Sequence, residues 1–180
     1  MPYFFGTDML KKLKQRSLQK LTEKNLKDRD LSQMNAPLTR LGFLVDESEF
    51  QEFDVLYDFA SALGIQRKDV KVFSFLESKR KLPSLRHNQV YNKDFTWKGE
   101  LHNQNAQEFL DVPFDVLIGY YKGSNEFLDL MVSASKAKFK VGVIHADPRL
   151  YDLIIAIPPE NVNGFRDELK KYLKILNKIN

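Results

Sequence analysis

Two short stretches bring together side chains that can do chemistry. Tyr121-Lys122-Gly123-Ser124-Asn125 sets a lysine, a Gly-Ser turn and an amide just ahead of an apolar helical run. A turn entering a helix presents free N–H groups, and Lys122 adds positive charge. Lys122, Gly123, Ser124 and Asn125 are therefore the candidates for binding an anion such as a small phosphorylated ligand or nucleotide. The same residues also fit an ordinary turn followed by a helix cap. The second stretch, His145-Ala146-Asp147-Pro148-Arg149, holds an imidazole, a carboxylate and a guanidinium within one turn. His145 with Asp147 could serve as a general base or as half of a metal site needing further ligands, whereas Asp-Pro followed by an arginine also makes a plain surface turn. Trp97, with Phe95 and Tyr91, could stack on a base or a sugar, or pack an irregular segment.

Other chemistries are excluded. The chain has no G-x-G-x-x-G, no G-x-x-x-x-G-K-[ST] and no G-x-S-x-G, so none of those phosphate cradles or serine elbows is present. Without cysteine there is no thiolate, disulfide or cysteine-based zinc site. The three histidines, His87, His102 and His145, fall in separate segments, and neither a metal nor a cofactor is expected.

The elements that must position these residues follow from hydrophobic periodicity. Leu41–Val45 and Val70–Leu76 read as strands buried on both faces, and Asp115–Tyr121, Phe139–Ile144 and Tyr151–Ile157 as further strands. A helix carrying Phe50, Phe53, Leu56, Tyr57, Ala60 and Leu63 follows the first strand, capped by Asp46 or Ser48 and ended by Gly64. Further helices are expected over Asn125–Lys136 and Val162–Ile179, with about two turns in NAQEFLDV. Glu77–Gln89, with Pro83, reads as an exposed basic loop, and residues 90–112 as a short strand or a packed loop around Trp97. Strands alternating with helices predict a three-layer, Rossmann-like α/β fold, with a mainly parallel sheet of five or six strands. Ligands of such sheets bind beyond the C-terminal strand ends, which adds Asp46, Ser48 and Glu77 to the candidates. One connection does not fit: about seven residues separate the Ile144 and Tyr151 strands, too few for a helical crossover. That pair is expected to be antiparallel or not adjacent.

At 180 residues, 43% hydrophobic and with 14 phenylalanines, the chain has enough apolar material for one real core. Charge is unevenly spread. Lys11, Lys12, Lys14, Arg16, Lys20, Lys24, Lys27 and Arg29 face four acidic residues in the first thirty, a surplus equal to the net +4 of the whole chain. The body is neutral. Residues 8–26 read as a basic amphipathic helix, capped by Thr7 or Asp8, with Leu10, Leu13, Leu18 and Leu21 along one stripe. Its lysines are a solvated face, or they dock on RNA phosphates or a ribonucleoprotein, or they lie on an anionic membrane with Phe4 and Phe5 in the interface. A division into 1–36 (helix and linker) and 37–180 (α/β domain) is expected, Pro37 helping to separate the two. No apolar run approaches a membrane span and no leader is evident, so the expected compartment is the cytoplasm, peripheral to the inner membrane if the helix takes lipid.

The run FDVLIGYYKGSNEFLDLMVSASKAKFKVGV, preceded by a Lys-rich N-terminal helix and the strand LGFLVDE, resembles a domain-of-unknown-function family from Bacteroidota. Its most distinctive phrase is SKAKFKVG at Ser135–Gly142, and the likeness extends over most of the chain. A shorter likeness links the same run to the N-terminal domain of heptosyltransferase-type glycosyltransferases and implies a Rossmann-like fold. The chain is too small for the second domain of those enzymes. The leading expectation is a non-enzymatic binding or accessory module that recognises a partner, a protein among the choices, while the basic helix holds it on an anionic surface. The alternative is a small enzyme or sensor that binds a phosphorylated metabolite through Lys122, Ser124 and His145, which requires the two loops to converge on one pocket.

Overall fold

Continuous apolar runs in the central strands dictate a sheet buried on both faces. The computed structural model describes residues 2–80 and 86–180, with side chains from Gly6 onward. Pro83 and the side chains of Phe4 and Phe5 lie outside the described residues. Six strands, β1 (Leu41–Asp46), β2 (Val70–Leu76), β3 (Gln89–Tyr91), β4 (Val116–Tyr120), β5 (Lys140–Gly142) and β6 (Leu153–Ile154), form one all-parallel sheet. Their order is β3-β2-β1-β4-β5-β6, so the direction of winding reverses between β1 and β4. Helices α2 (Phe53–Tyr57), α3 (Phe59–Leu63) and α6 (Val162–Ile175) cover one face; α4 (Gln104–Asp111), α5 (Glu126–Ala134) and α1 (Pro2–Lys27) cover the other. The expected three-layer, Rossmann-like arrangement is what the chain adopts.

Several local expectations are corrected. Helix α1 starts at Pro2, so Thr7 and Asp8 lie inside it rather than capping it. The helix after β1 is two short ones, broken at Asp58, and neither Asp46 nor Ser48 caps it. Asp46 Oδ1 instead accepts from the Ser48 N–H (2.9 Å) and hydroxyl (2.6 Å), closing a turn. Gly64 does end α3, in the left-handed conformation at φ 75°. Helix α6 stops at Ile175.

The largest correction concerns β5 and β6, which are adjacent and parallel although no helix joins them. Their register is only two residues, Val141↔Leu153 and Gly142↔Ile154. A pair this short needs the chain to climb back only about 7 Å, which the irregular stretch 143–152 spans. That stretch buries Ala146, Leu150 and Tyr151 in the same core as α4 and α5, so its side chains do the covering that a crossover helix would do.

A pair of glycines makes this possible. Gly119 in β4 and Gly142 in β5 are register partners on the same sheet face. A Cβ on Gly119 would lie 2.1 Å from the Tyr151 hydroxyl, and one on Gly142 would lie 2.8 Å from the Tyr151 ring and 2.9 Å from Ala146 Cβ. The Tyr151 ring therefore lies in a channel that only glycine at both positions leaves open.

Gly142→Ala is expected to lower stability by about 1–3 kcal/mol through overpacking, read as a fall in the urea midpoint. A second substitution, Tyr151→Leu, should recover part of that loss. An unchanged midpoint for Gly142→Ala would contradict the packing described.

Candidate functional site

The reversal point between β1 and β4 is where ligands of this fold sit. Here the turn after β1 carries Asp46, Glu47, Glu49, Glu52 and Asp54, with no glycine and no basic residue among 46–54. Glu49 reaches across and accepts the Lys122 N–H at 2.8 Å; burial pushes its carboxyl above the usual range. Buried Phe50 packs edge-on against Tyr120 (centroids 5.2 Å apart), and the Tyr120 hydroxyl donates to the Pro159 carbonyl at 2.6 Å. Glu47 is held by Arg86, by the Ser74 hydroxyl and by the Gln89 amide. A phosphate entering this crevice would meet carboxylates, while the N–H groups of Glu47, Ser48, Glu49 and Phe50 are already bonded. The charge of the turn disfavours an anion there.

The two chemistry-bearing stretches do converge. Gly123 donates its N–H to the Ile144 carbonyl (3.3 Å), and Ser124, Asp129, Asp147 and Arg149 line one cavity of about 850 Å³ with Arg16 and Lys20 of α1. The cavity lacks the ligand set expected of it. The Lys122 ammonium turns away to Glu160 at 2.7 Å, and exposed His145, in the left-handed region at φ 63°, does not line the space. Of the three expected phosphate contacts only Ser124 is there. Asn125 is the α5 cap: its Oδ1 accepts from the N–H groups of Phe127 (3.0 Å) and Leu128 (3.1 Å), which removes the donors an anion would use. Arg149 donates to both oxygens of Asp147 and to Glu23 of α1 (2.6 Å). These charges neutralise one another.

Beneath the cavity runs a hydrogen-bonded chain that periodicity does not reveal. The Tyr151 hydroxyl donates to the Tyr121 hydroxyl (2.9 Å), which donates to Asp129 Oδ1 (2.6 Å). Burial raises the Asp129 carboxyl to about 6, against the opposing effect of the Tyr121 hydrogen bond.

Helix α1 is the remaining element with chemistry to offer. From Leu18 onward it is moored to the body. Leu18 is fully buried, Leu21 and Leu26 pack beside it, and Gly99 comes so close that a Cβ there would lie 2.9 Å from the Leu21 side chain. Polar posts add to this: Asn25 to Ser133 (3.1 Å), and a bidentate Arg29–Asp152 pair (2.6 and 2.8 Å) whose side chains are only 14% and 9% exposed. Ahead of Leu18 the contacts thin to Lys14 on Asn92 and Gln15 on Glu126, and the helix overhangs. The expected leucine stripe fails there: Leu10 and Leu13 are 55% and 37% exposed, and Met9 is 62% exposed. Lys11, Lys12, Arg16, Lys20, Lys24 and Lys27 are exposed and form no ion pair among the described residues.

The overhang is one wall of a groove of about 780 Å³. Lys11 and Lys14 line it from α1, Lys79 from beyond β2, and Lys93 and Trp97 from the segment after β3, beside Glu77. The aromatic trio read from the sequence divides here. Tyr91 and Phe95 are buried, whereas Trp97 is 53% exposed. Among the described residues, no three His, Asp or Glu side chains are placed to hold a metal ion, and no helix is long and apolar enough to cross a membrane.

Because the Asp129 carboxyl titrates higher in the folded chain than when unfolded, the native state binds the extra proton, and stability falls as pH rises between about 4 and 6. Asp129→Asn keeps the Tyr121 hydrogen bond and removes that cost. The variant should match the parent near pH 4 and exceed it by about 1–2 kcal/mol at pH 7, measured by thermal unfolding; a variant less stable than the parent at pH 7 would contradict the assignment.

No curated protein matches this chain, and no solved structure does. A family of unknown function does match, over residues 14–176, which take in the moored part of α1 and the whole sheet while leaving out most of the overhang. The chain belongs to the DUF6913 family.

Proposed function

We propose that this chain is a non-enzymatic binding module that docks on RNA, or on the RNA of a ribonucleoprotein, through the overhanging half of α1 and the groove beside it. One contrast carries the reading. Cations carried on the strand-end loops are spent on internal partners, Lys122 on Glu160 and Arg149 on Asp147 and Glu23, whereas exposed Lys11 and Lys12 have no ion pair among the described residues. Unneutralised lysines on a protruding helix are the electrostatic footprint of a polyanion partner. Such a partner puts the chain in the cytoplasm.

Charge geometry favours RNA over lipid. Interfacial helices need a long continuous apolar face beneath their lysines; exposed Met9, Leu10 and Leu13 give α1 only a short one, and from Leu18 onward its apolar residues are turned onto the body. Lys11 and Lys14, with Lys79 and Lys93, line a concave groove rather than a flat surface, which suits a strand-like polyanion. A small phosphorylated ligand under α1 is the weaker reading, because the α5 N–H donors are already capped.

Titration with a labelled single-stranded RNA over about 50–400 mM salt should give a log–log slope near −2 to −3, as about three or four phosphates are neutralised at about −0.7 each. Lys11→Glu with Lys93→Glu should weaken binding by about tenfold or more at low salt. A salt-independent affinity, or an affinity untouched by the double charge reversal, would overturn the reading. Tighter capture by phosphatidylglycerol vesicles than by RNA would transfer the site to a membrane.

A further inference from the structure

We infer that the groove between α1 and the segment after β3 holds unpaired nucleotides, with one base stacked on Trp97 and the flanking phosphates on Lys11, Lys14 and Lys93; this rests on the RNA-docking reading and specifies its ligand. Trp97 is the only tryptophan in the chain and is more than half exposed, although tryptophan is mostly buried in folded proteins. It is not on a loose loop. The antiparallel bridge Phe95↔Leu101, the Thr96 N–H to the Glu100 carbonyl (2.8 Å) and the Gly99 N–H to the Thr96 carbonyl (2.9 Å) tie the tip into a tight hairpin. Gly99, at φ 82°, makes that turn and also admits α1 beside it. The hairpin therefore presents the indole as a fixed platform next to the lysine-bearing helix.

Electrostatics in the groove are unfinished without an anion. The Lys14 ammonium donates to the Asn92 carbonyl (2.7 Å) and lies over the Phe127 ring, 5.4 Å from its centre. Burial lowers its pKa, and the nearby charge of Lys93 lowers it further. Lys79 and Lys11 add to the same concavity, and Lys98 sits 5.4 Å from the Trp97 ring centre. The opposing carboxylates are Glu77, Glu126 and Asp94, the last two raising the Lys14 pKa against burial and Lys93, and the lysines outnumber them. Two like charges held together gain most from a phosphate that bridges them.

Base pairing decides which nucleic acid fits. In a duplex the base faces are stacked inside and only the backbone reaches the lysines; in a single strand each base offers a π-face to the indole. An acidic peptide would satisfy the lysines and leave the indole unused.

The single tryptophan makes the test direct. Its fluorescence is followed while the full chain is titrated with oligouridylate of about 12 nucleotides, an RNA duplex of equal length, or polyglutamate of equal charge. Oligouridylate should quench Trp97 and bind about tenfold tighter than the duplex; polyglutamate should not quench. In anisotropy measurements Trp97→Ala should drop the single-strand affinity to the duplex level and leave the salt dependence in place, while Trp97→Phe should keep most of it. Circular dichroism confirms that each variant folds. Equal affinity for single strand and duplex, quenching by polyglutamate, or full affinity in Trp97→Ala would overturn the stacking site and leave the docking reading standing. Salt-independent binding, or none to any RNA, would overturn both.

Discussion

The position of the Tyr151 ring in the channel over Gly119 and Gly142 is the constraint on which the rest of this molecule depends. Parallel neighbours normally need a helical crossover to cover the sheet between them. Here the ring does the covering, together with Ala146 and Leu150. Its hydroxyl extends the arrangement through Tyr121 to Asp129 on α5, tying the crossover to the helix beneath α1. The same crossover supplies two of the posts that hold α1: Arg149, which meets Glu23, and Asp152, which takes both ends of the Arg29 fork. Of the two, the Arg29–Asp152 pair matters more, since it is bidentate and largely removed from solvent, whereas Arg149 and Glu23 are exposed and screened. Asp152 also accepts the backbone N–H of Lys140 (2.8 Å), whose buried ammonium donates to the Val132 carbonyl of α5 (2.5 Å) and is lowered to about 7 by burial and by Arg29. Glycine in two strands thus determines where a helix 26 residues long can rest.

This packing has a functional consequence. A parallel sheet wound in this order ordinarily leaves its ligand space at the strand ends. In this chain an acidic turn disfavours phosphate in the β1–β4 crevice, and the space past β4 and β5 has a tyrosine floor beneath loop charges, Asp147 and Arg149, that pair with each other and with Glu23. What remains unneutralised among the described residues is the exposed basic face of α1, from Lys11 to Lys27, and the groove beside Trp97. The surplus positive charge lies on the solvent side of α1, which argues for a partner supplied from outside.

Much of the architecture was legible in the sequence because both central strands are buried on two faces. Strand β2 matches its apolar run residue for residue, and β1 exceeds its run by Asp46 alone. Gly64 ended its helix as the missing Cβ predicts. The β5–β6 pair departs from the connection rule because that rule assumes strands of ordinary length, and a two-residue register escapes it. The glycine channel was hidden for a different reason. Gly119 and Gly142 face each other only after register is set, and nothing near Tyr151 in sequence marks it as their occupant. The one available signal was glycine inside two buried strands, which marks a close approach. At the candidate sites, types and spacing located the loops, whereas side-chain direction decided their use. Lys122 turned to Glu160, Asn125 turned onto its own helix, and Trp97 turned outward while Phe95 and Tyr91 turned in.

The central claim is that the strand ends disfavour an anion and that binding has moved to α1 and the groove beside it. Backbone amide shift mapping of the isotope-labelled chain, titrated with single-stranded oligouridylate, tests it most directly. Perturbations are expected at Lys11–Lys14, Lys79 and Asn92–Lys98, with the amides of Tyr121–Asn125 and His145–Arg149 unmoved. Perturbations centred on those two strand-end loops, with the α1 overhang unaffected, would contradict it.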